Sequence, residues 1–142
     1  MPQFSQRSLR MLDTCDKRLQ RLFLHVVTRV DCRVECGFRS ETEQEAAFAA
    51  GTSKVRFPNS RHNTLPSRAV DVIPYPVEWP DAGMSREAYA RALGRWYMFV
   101  GYVRAAADEL GMKIRCGADW NGDFQVKDQN FHDLPHFELV DE

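Results

Sequence analysis

Between Ser85 and Gly111 the residues Tyr89, Leu93, Trp96, Val100, Val103, Ala107 and Leu110 follow one another in alternating steps of four and three. That spacing places all seven on one stripe of an α-helix, with Ser85 positioned to cap its start and Gly111 to end it. An aromatic stripe of this length is core, so the rest of the chain has to be organised to cover it.

The other segments read as shorter helices and strands. After Leu19, the residues Leu22, Phe23, Val26, Val27 and Val30 keep a 3.6-residue rhythm, with His25 off the stripe and at the surface. Cys32 to Cys36 alternates as a strand that stops at Gly37. Ser40 stands three residues before Glu43, a capping-box pattern for a helix running to Gly51, which makes GFRS (37–40) the turn between strand and helix. Residues 52–68 carry no helical period. AVDVIP (69–74) then reads as a β-branched strand ended by Pro74, Pro76 and Pro80, while MKIRC and HFELV read as two further strands. Together these predict an α+β fold: a small antiparallel sheet flanked by helices, in a single compact domain covering residues 1–142.

Composition narrows the function. With 44% hydrophobic residues, 142 residues bury one substantial core. The 19 basic and 20 acidic side chains leave a net charge of -1, which argues against a nucleic-acid partner; the basic bias of the first thirty residues reads as solvated helix faces. The start, MPQFSQRSLRMLDTC, lacks the apolar run of a secretory signal, and no stretch approaches the roughly 18 apolar residues of a membrane span. A protein made in the cytoplasm, without membrane insertion, is expected. Cys15, Cys32, Cys36 and Cys116 are then expected to be buried free thiols. Cys32 and Cys36, four apart on a strand, would sit about 13 Å from each other, too far to share one zinc.

Chemistry concentrates in three histidines. His62, His132 and His136 each lie in a loop or a strand entry near acidic residues. A catalytic zinc takes three protein ligands from His, Asp or Glu and keeps a position for water. His62 and Asp71 can supply two, and His136 or His132 the third. The last two are four apart, but Pro135 disfavours the helix on which they would pair. In an extended segment, Asp133 can lie beside a metal-held water without binding the metal, as a general base requires.

Four stretches, GFRS (37–40), SRHNTLPSRAVDVIPYPVEW (60–79), KIRCGADW (113–120) and DLPHFEL (133–139), resemble in content and order the zinc peptidases of the D-alanyl-D-alanine carboxypeptidase and L-alanyl-D-glutamate endopeptidase family, in particular the small single-domain endolysins of tailed bacteriophages. The resemblance runs from about Leu12 to Leu139. It implies one zinc ion held by His62, Asp71 and His136, Asp133 as catalytic base, Arg39 steadying the substrate carbonyl and its developing oxyanion, and Ser60 lining the substrate site. It further implies a peptidoglycan stem peptide as substrate and a host-cytoplasmic enzyme that reaches the wall after a holin-type partner breaches the membrane; a monomer is expected. Two departures stand out. NTLPSRAV (63–70) is longer than the glycine-containing loop of many relatives, so a changed substrate groove is expected, and Cys116 replaces a tryptophan.

Asp119, Asn121 and Asp123 alternate like the start of a calcium loop, but Asn130 stands where a bidentate glutamate would be needed. Two other activities use the same residues: a D-alanyl-D-alanine carboxypeptidase or dipeptidase, and a non-catalytic wall-binding or virion module in which His132 closes a structural zinc shell.

Overall fold

The computed structural model describes residues 2–127 and 133–140. Helices α1 (Gln6–Leu12), α2 (Lys17–Val26), α3 (Glu41–Ala49) and α4 (Arg86–Glu109) accompany strands β1 (Cys32–Cys36), β2 (Ala69–Pro74), β3 (Ile114–Cys116) and β4 (His136–Leu139). The strands form an antiparallel sheet in the order β1-β2-β4-β3. This is the expected α+β class.

Helix α4 carries the predicted stripe. Ser85 Oγ accepts from the Ala88 amide, and Gly111 follows the last turn with φ +73°. Burial begins only at Ala92 and continues through Trp96, Val100, Val103 and Ala107, whereas Tyr89 is exposed. The physical reason is length: 24 residues make a rod of about 36 Å, while a six-residue strand spans about 20 Å. Helix α2 ends four residues short of the predicted Val30, and residues 27–30 form a turn and bend. Phe23 of α2 and Phe99 of α4 meet Phe137 of β4 edge-on, at ring-centroid distances of 5.4 and 6.2 Å.

The register explains how one sheet serves two purposes. Val34 pairs with Val72, and Val70, Phe137 and Cys116 form a continuous row; all five are buried against the helices. The alternate residues face the other way: Asp71 beside His136, and Ala69, Glu138 and Arg115 in the next row. A bulge between Val34 and Cys36 brings Cys36 opposite Asp71, where an unbroken ladder would have put Glu35.

Helix α1 is absent from the sequence reading because seven residues are too few to show a helical period. Besides burying Leu12, it makes a polar contact: buried Ser8 accepts at Oγ from the Val34 amide (3.0 Å), satisfying a donor on the edge strand β1. The capping box of α3 forms as expected, with Ser40 Oγ accepting from Glu43 N and Glu43 Oε1 accepting from Ser40 N. The loop 63–70 lies beside the cleft described below without lining it, Asn63 donating from Nδ2 to Arg39 O (3.1 Å) and Gln44 Oε1 (3.2 Å). Ser67 is tied to the α1–α2 junction, its amide donating to Thr14 O and its carbonyl accepting from Asp16 N (both 2.8 Å). All four cysteines are free thiols. Burial pushes the Cys15, Cys32 and Cys116 thiols up to about 12, but Cys36 is only half-buried.

Candidate active site

Sheet register alone sets Asp71 and His136 side by side, because they are Cα partners on β2 and β4. His62 arrives from a short 3-10 turn, Arg61–Asn63, that forms because Ser60 Oγ accepts from His62 N while Asn63 Oδ1 accepts from Ser60 N. The turn is docked by Arg39 N donating to His62 O (2.8 Å). His62 Nδ1 lies 2.8 Å from Gly37 O, which orients the ring so that Nε2 points at Asp71 Oδ1, 3.3 Å away. His136 Nδ1 is also 3.3 Å from that oxygen, and its Nε2 is 2.8 Å from Glu138 Oε1. Each histidine thus has one nitrogen held by the protein and the other turned toward Asp71.

Asp133 Oδ2 sits 3.9 Å from His136 Nδ1. Its segment is pinned by Asp133 N donating to Gly117 O (2.9 Å) and Gly117 N donating to His136 O (2.8 Å). A side chain at 117 would overlap the Asp133 carbonyl oxygen, so the approach requires glycine. Gly37 is equally enclosed, by Met11 O and Thr14 Oγ1. Arg39 places Nη2 3.7 Å from Asp71 Oδ2 and donates from Nη1 to Gln44 Oε1 (3.0 Å).

A cation fits the donor set. Two buried atoms here lack a hydrogen-bond partner, His62 Nε2 and Asp71 Oδ1, and such orphans call for an ion or water. Two overlapping triads have ligand atoms within 4.8 Å of one another: Cys36–His62–Asp71 and Asp71–Asp133–His136. Asp71 belongs to both. Cys36 Sγ, however, stands 3.8 Å from His62 Nδ1, the nitrogen already committed to Gly37, and so lies behind the ring.

The electrostatics of the cation-free site follow from this crowding. Burial opposes a charge on His62, but the Asp71 carboxylate outweighs it and pushes the pKa up to about 10. His136 is likewise opposed by burial and lifted to about 9 by its bonds to Asp71 and Glu138. Asp71, despite burial, is held well below the usual carboxylate range by His62 and His136. Asp133 shifts the other way, raised by burial and then by the Asp71 charge. Glu138 resists burial and stays low because His136 bonds to it.

The structure therefore brings together His62, Asp71, His136, Asp133, Arg39 and Ser60 around one cleft of about 530 Å³. His132 and Asn130 lie outside the described residues. In the loop read as calcium-like, Asp119 Oδ2 accepts from Arg104 Nη1 (3.0 Å) and Phe124 N (2.7 Å), and Asp123 accepts from Gln125 N and Asn121 Nδ2. Gln44, Gly117, Glu138, Cys36 and Trp120, whose ring is 5.3 Å from that of His136, were not singled out as site residues from sequence. Gly117 and Trp120 lie inside the KIRCGADW stretch and Glu138 inside DLPHFEL, two residues after His136 on the same strand face, whereas Gln44 and Cys36 carried no such signal.

Comparison with known proteins places these observations. A family profile described as phage L-alanyl-D-glutamate peptidase matches residues 1–140. The L-alanyl-D-glutamate peptidase of Escherichia phage T5 is 30% identical over 146 residues, covering 96% of this chain and 97% of the relative. The crystal structure of Serratia marcescens L-Ala D-Glu endopeptidase ChiX superposes with a TM-score of 0.67 at 26% identity, covering 98% of this chain and 91% of that one.

Proposed function

The chain belongs to the phage L-alanyl-D-glutamate peptidase family, and from that premise we propose that it is a zinc-dependent peptidoglycan hydrolase that cuts the L-alanyl-D-glutamate bond of the stem peptide. The observation that carries the zinc is the convergence of two imidazole nitrogens on one oxygen: His62 Nε2 and His136 Nδ1 each lie 3.3 Å from Asp71 Oδ1, and neither His62 Nε2 nor that oxygen has a well-formed hydrogen bond. Two imidazole nitrogens and one carboxylate oxygen would supply three ligands of the catalytic kind, drawn from two clusters that share Asp71.

Zinc held there would polarise the scissile carbonyl and acidify the attacking water. The protein's own groups do the rest. Asp133, at Oδ2, takes the proton of the water and returns it to the leaving amine of D-glutamate. Arg39, steadied by Gln44, offers its guanidinium to the oxygen on which negative charge develops, a contact that strengthens in the transition state. Glu138 and Gly37 O fix the ring orientations of His136 and His62 from behind. Ser60 lines the cleft and caps the turn that delivers His62.

The same reading makes the protein a monomeric endolysin held in the host cytoplasm until a holin-type partner opens the membrane. Among the described residues, no helix is long and apolar enough to cross a membrane. Mass spectrometry of muropeptides digested by the zinc-loaded protein tests the reading. Glycan-linked L-alanine ends and peptides starting with D-glutamate are expected. Release of terminal D-alanine alone would replace it with a D-alanyl-D-alanine carboxypeptidase.

A further inference from the structure

The cleft lining is of mixed chemistry. Trp120, Pro135 and Val55 are apolar, while Lys54, Ser60 and Arg61 are basic or polar. The backbone beside Lys54 and Arg61 is built around one buried amide. Gln44, at 0% exposure the only buried residue of α3, donates from Nε2 to Ser53 Oγ (2.8 Å) and Val55 O (2.7 Å), on either side of Lys54. Its Oε1 accepts from Arg39 Nη1 (3.0 Å) and Asn63 Nδ2 (3.2 Å). A single side chain thereby locks the backbone at Lys54, the Arg39 guanidinium and the turn carrying Arg61 into one unit. Such preorganisation lowers the ordering cost of binding a charged ligand.

Charge indicates what that ligand is. Among the described lining residues, Arg39, Lys54 and Arg61 equal in number the carboxylates Asp71, Asp133 and Glu138. Arg61 Nε is 3.0 Å from Glu138 Oε2, so it is anchored at the cleft wall. A dication at Asp71 would leave the cleft with an excess of positive charge, complementary to an anion. A D-glutamyl residue meets this requirement: it has two carboxyl groups, only one of which can continue the chain, and the other remains a carboxylate a few bonds from the scissile amide.

We propose that Lys54 and Arg61 form a carboxylate subsite that reads this free carboxylate on the leaving side of the scissile bond, with the L-alanyl side against Trp120 and Pro135. The inference rests on the peptidase reading above and adds a prediction that reading does not make: amidation of the free carboxylate is detected by the enzyme.

The test uses the zinc-loaded protein on two matched stem peptides, one with D-glutamate and one with its free carboxyl amidated. Wild type should favour the carboxylate by roughly tenfold or more in kcat/KM, the scale of one charge-assisted hydrogen bond. Lys54→Met and Arg61→Met should each shrink that ratio, the double variant should bring it near one, and Lys54→Arg should retain it. A wild-type ratio near one, or a ratio unmoved in the double variant, overturns the subsite while leaving the peptidase reading intact. Failure to cut either peptide at the L-alanyl-D-glutamate bond overturns both.

Discussion

The two faces of the central sheet are built from the same strands yet obey different rules. Toward the helices, Val34, Val70, Val72, Cys116 and Phe137 are held by contact with many apolar neighbours, none individually required. Toward the cleft, Cys36, Asp71, His136 and Glu138 each depend on particular partners at fixed distances. Loss on the first face is graded by volume. On the second it is closer to all-or-none, since removing one member strands a buried charge.

The largest expected effect breaks the second face alone. His62→Ala or His136→Ala should abolish zinc retention, read by metal analysis after gel filtration, together with lysis; a variant that lyses without metal would refute the ligand set. Next, Asp133→Asn should retain zinc but lose turnover by roughly 10²–10⁴-fold, measured as the kcat for muropeptide release. The first face should answer in stability instead: Phe137→Ala is expected to cost about 3–5 kcal/mol in chemical denaturation, with zinc stoichiometry unchanged below the transition. Glu138→Gln, which touches the site only through His136, should weaken zinc by roughly 10–100-fold in competition with a chelator.

The smallest effect is a pH dependence confined to the cation-free protein. His62 and His136 have folded pKa values raised above the ordinary 6.5, so the stability they add is fully present below about pH 6.5 and is lost as pH rises through about 9 to 10. Asp71, depressed, adds stability that disappears only in strong acid. The melting temperature of chelated protein should therefore fall between about pH 7 and pH 10, and the fall should be smaller in His62→Ala. An equal fall in both would assign it elsewhere.

The same division separates what the amino-acid order discloses from what it conceals. The stripe of α4, the β-branched run of AVDVIP and the Ser40–Glu43 box are local patterns, and each became the element expected. His62, Asp71 and His136, which the structure brings together, stood out from sequence only through the ordered motifs that contain them. Gln44 did not: a glutamine in a helix reads as solvated, and only the approach of residues 53–55 and 63 makes it the hub of the cleft. Gly117 was hidden for a related reason, since its need for a bare Cα comes from Asp133, sixteen positions on. Helix α1 is held by Ser8 against β1, a bond between residues 26 apart that no local pattern announces.

The strand order β1-β2-β4-β3 has a consequence in time. Strand β4 is last in sequence among the described strands but lies inside the sheet, between β2 and β3. Until residues 136–139 take their place, β2 and β3 each have an unpaired edge, and His62 and Asp71 await the histidine that completes their cluster. Closing the sheet and completing the site are one folding event, built on contacts of long sequence separation that form slowly. A growing chain would therefore have neither the joined sheet nor the completed cluster until β4 is in place.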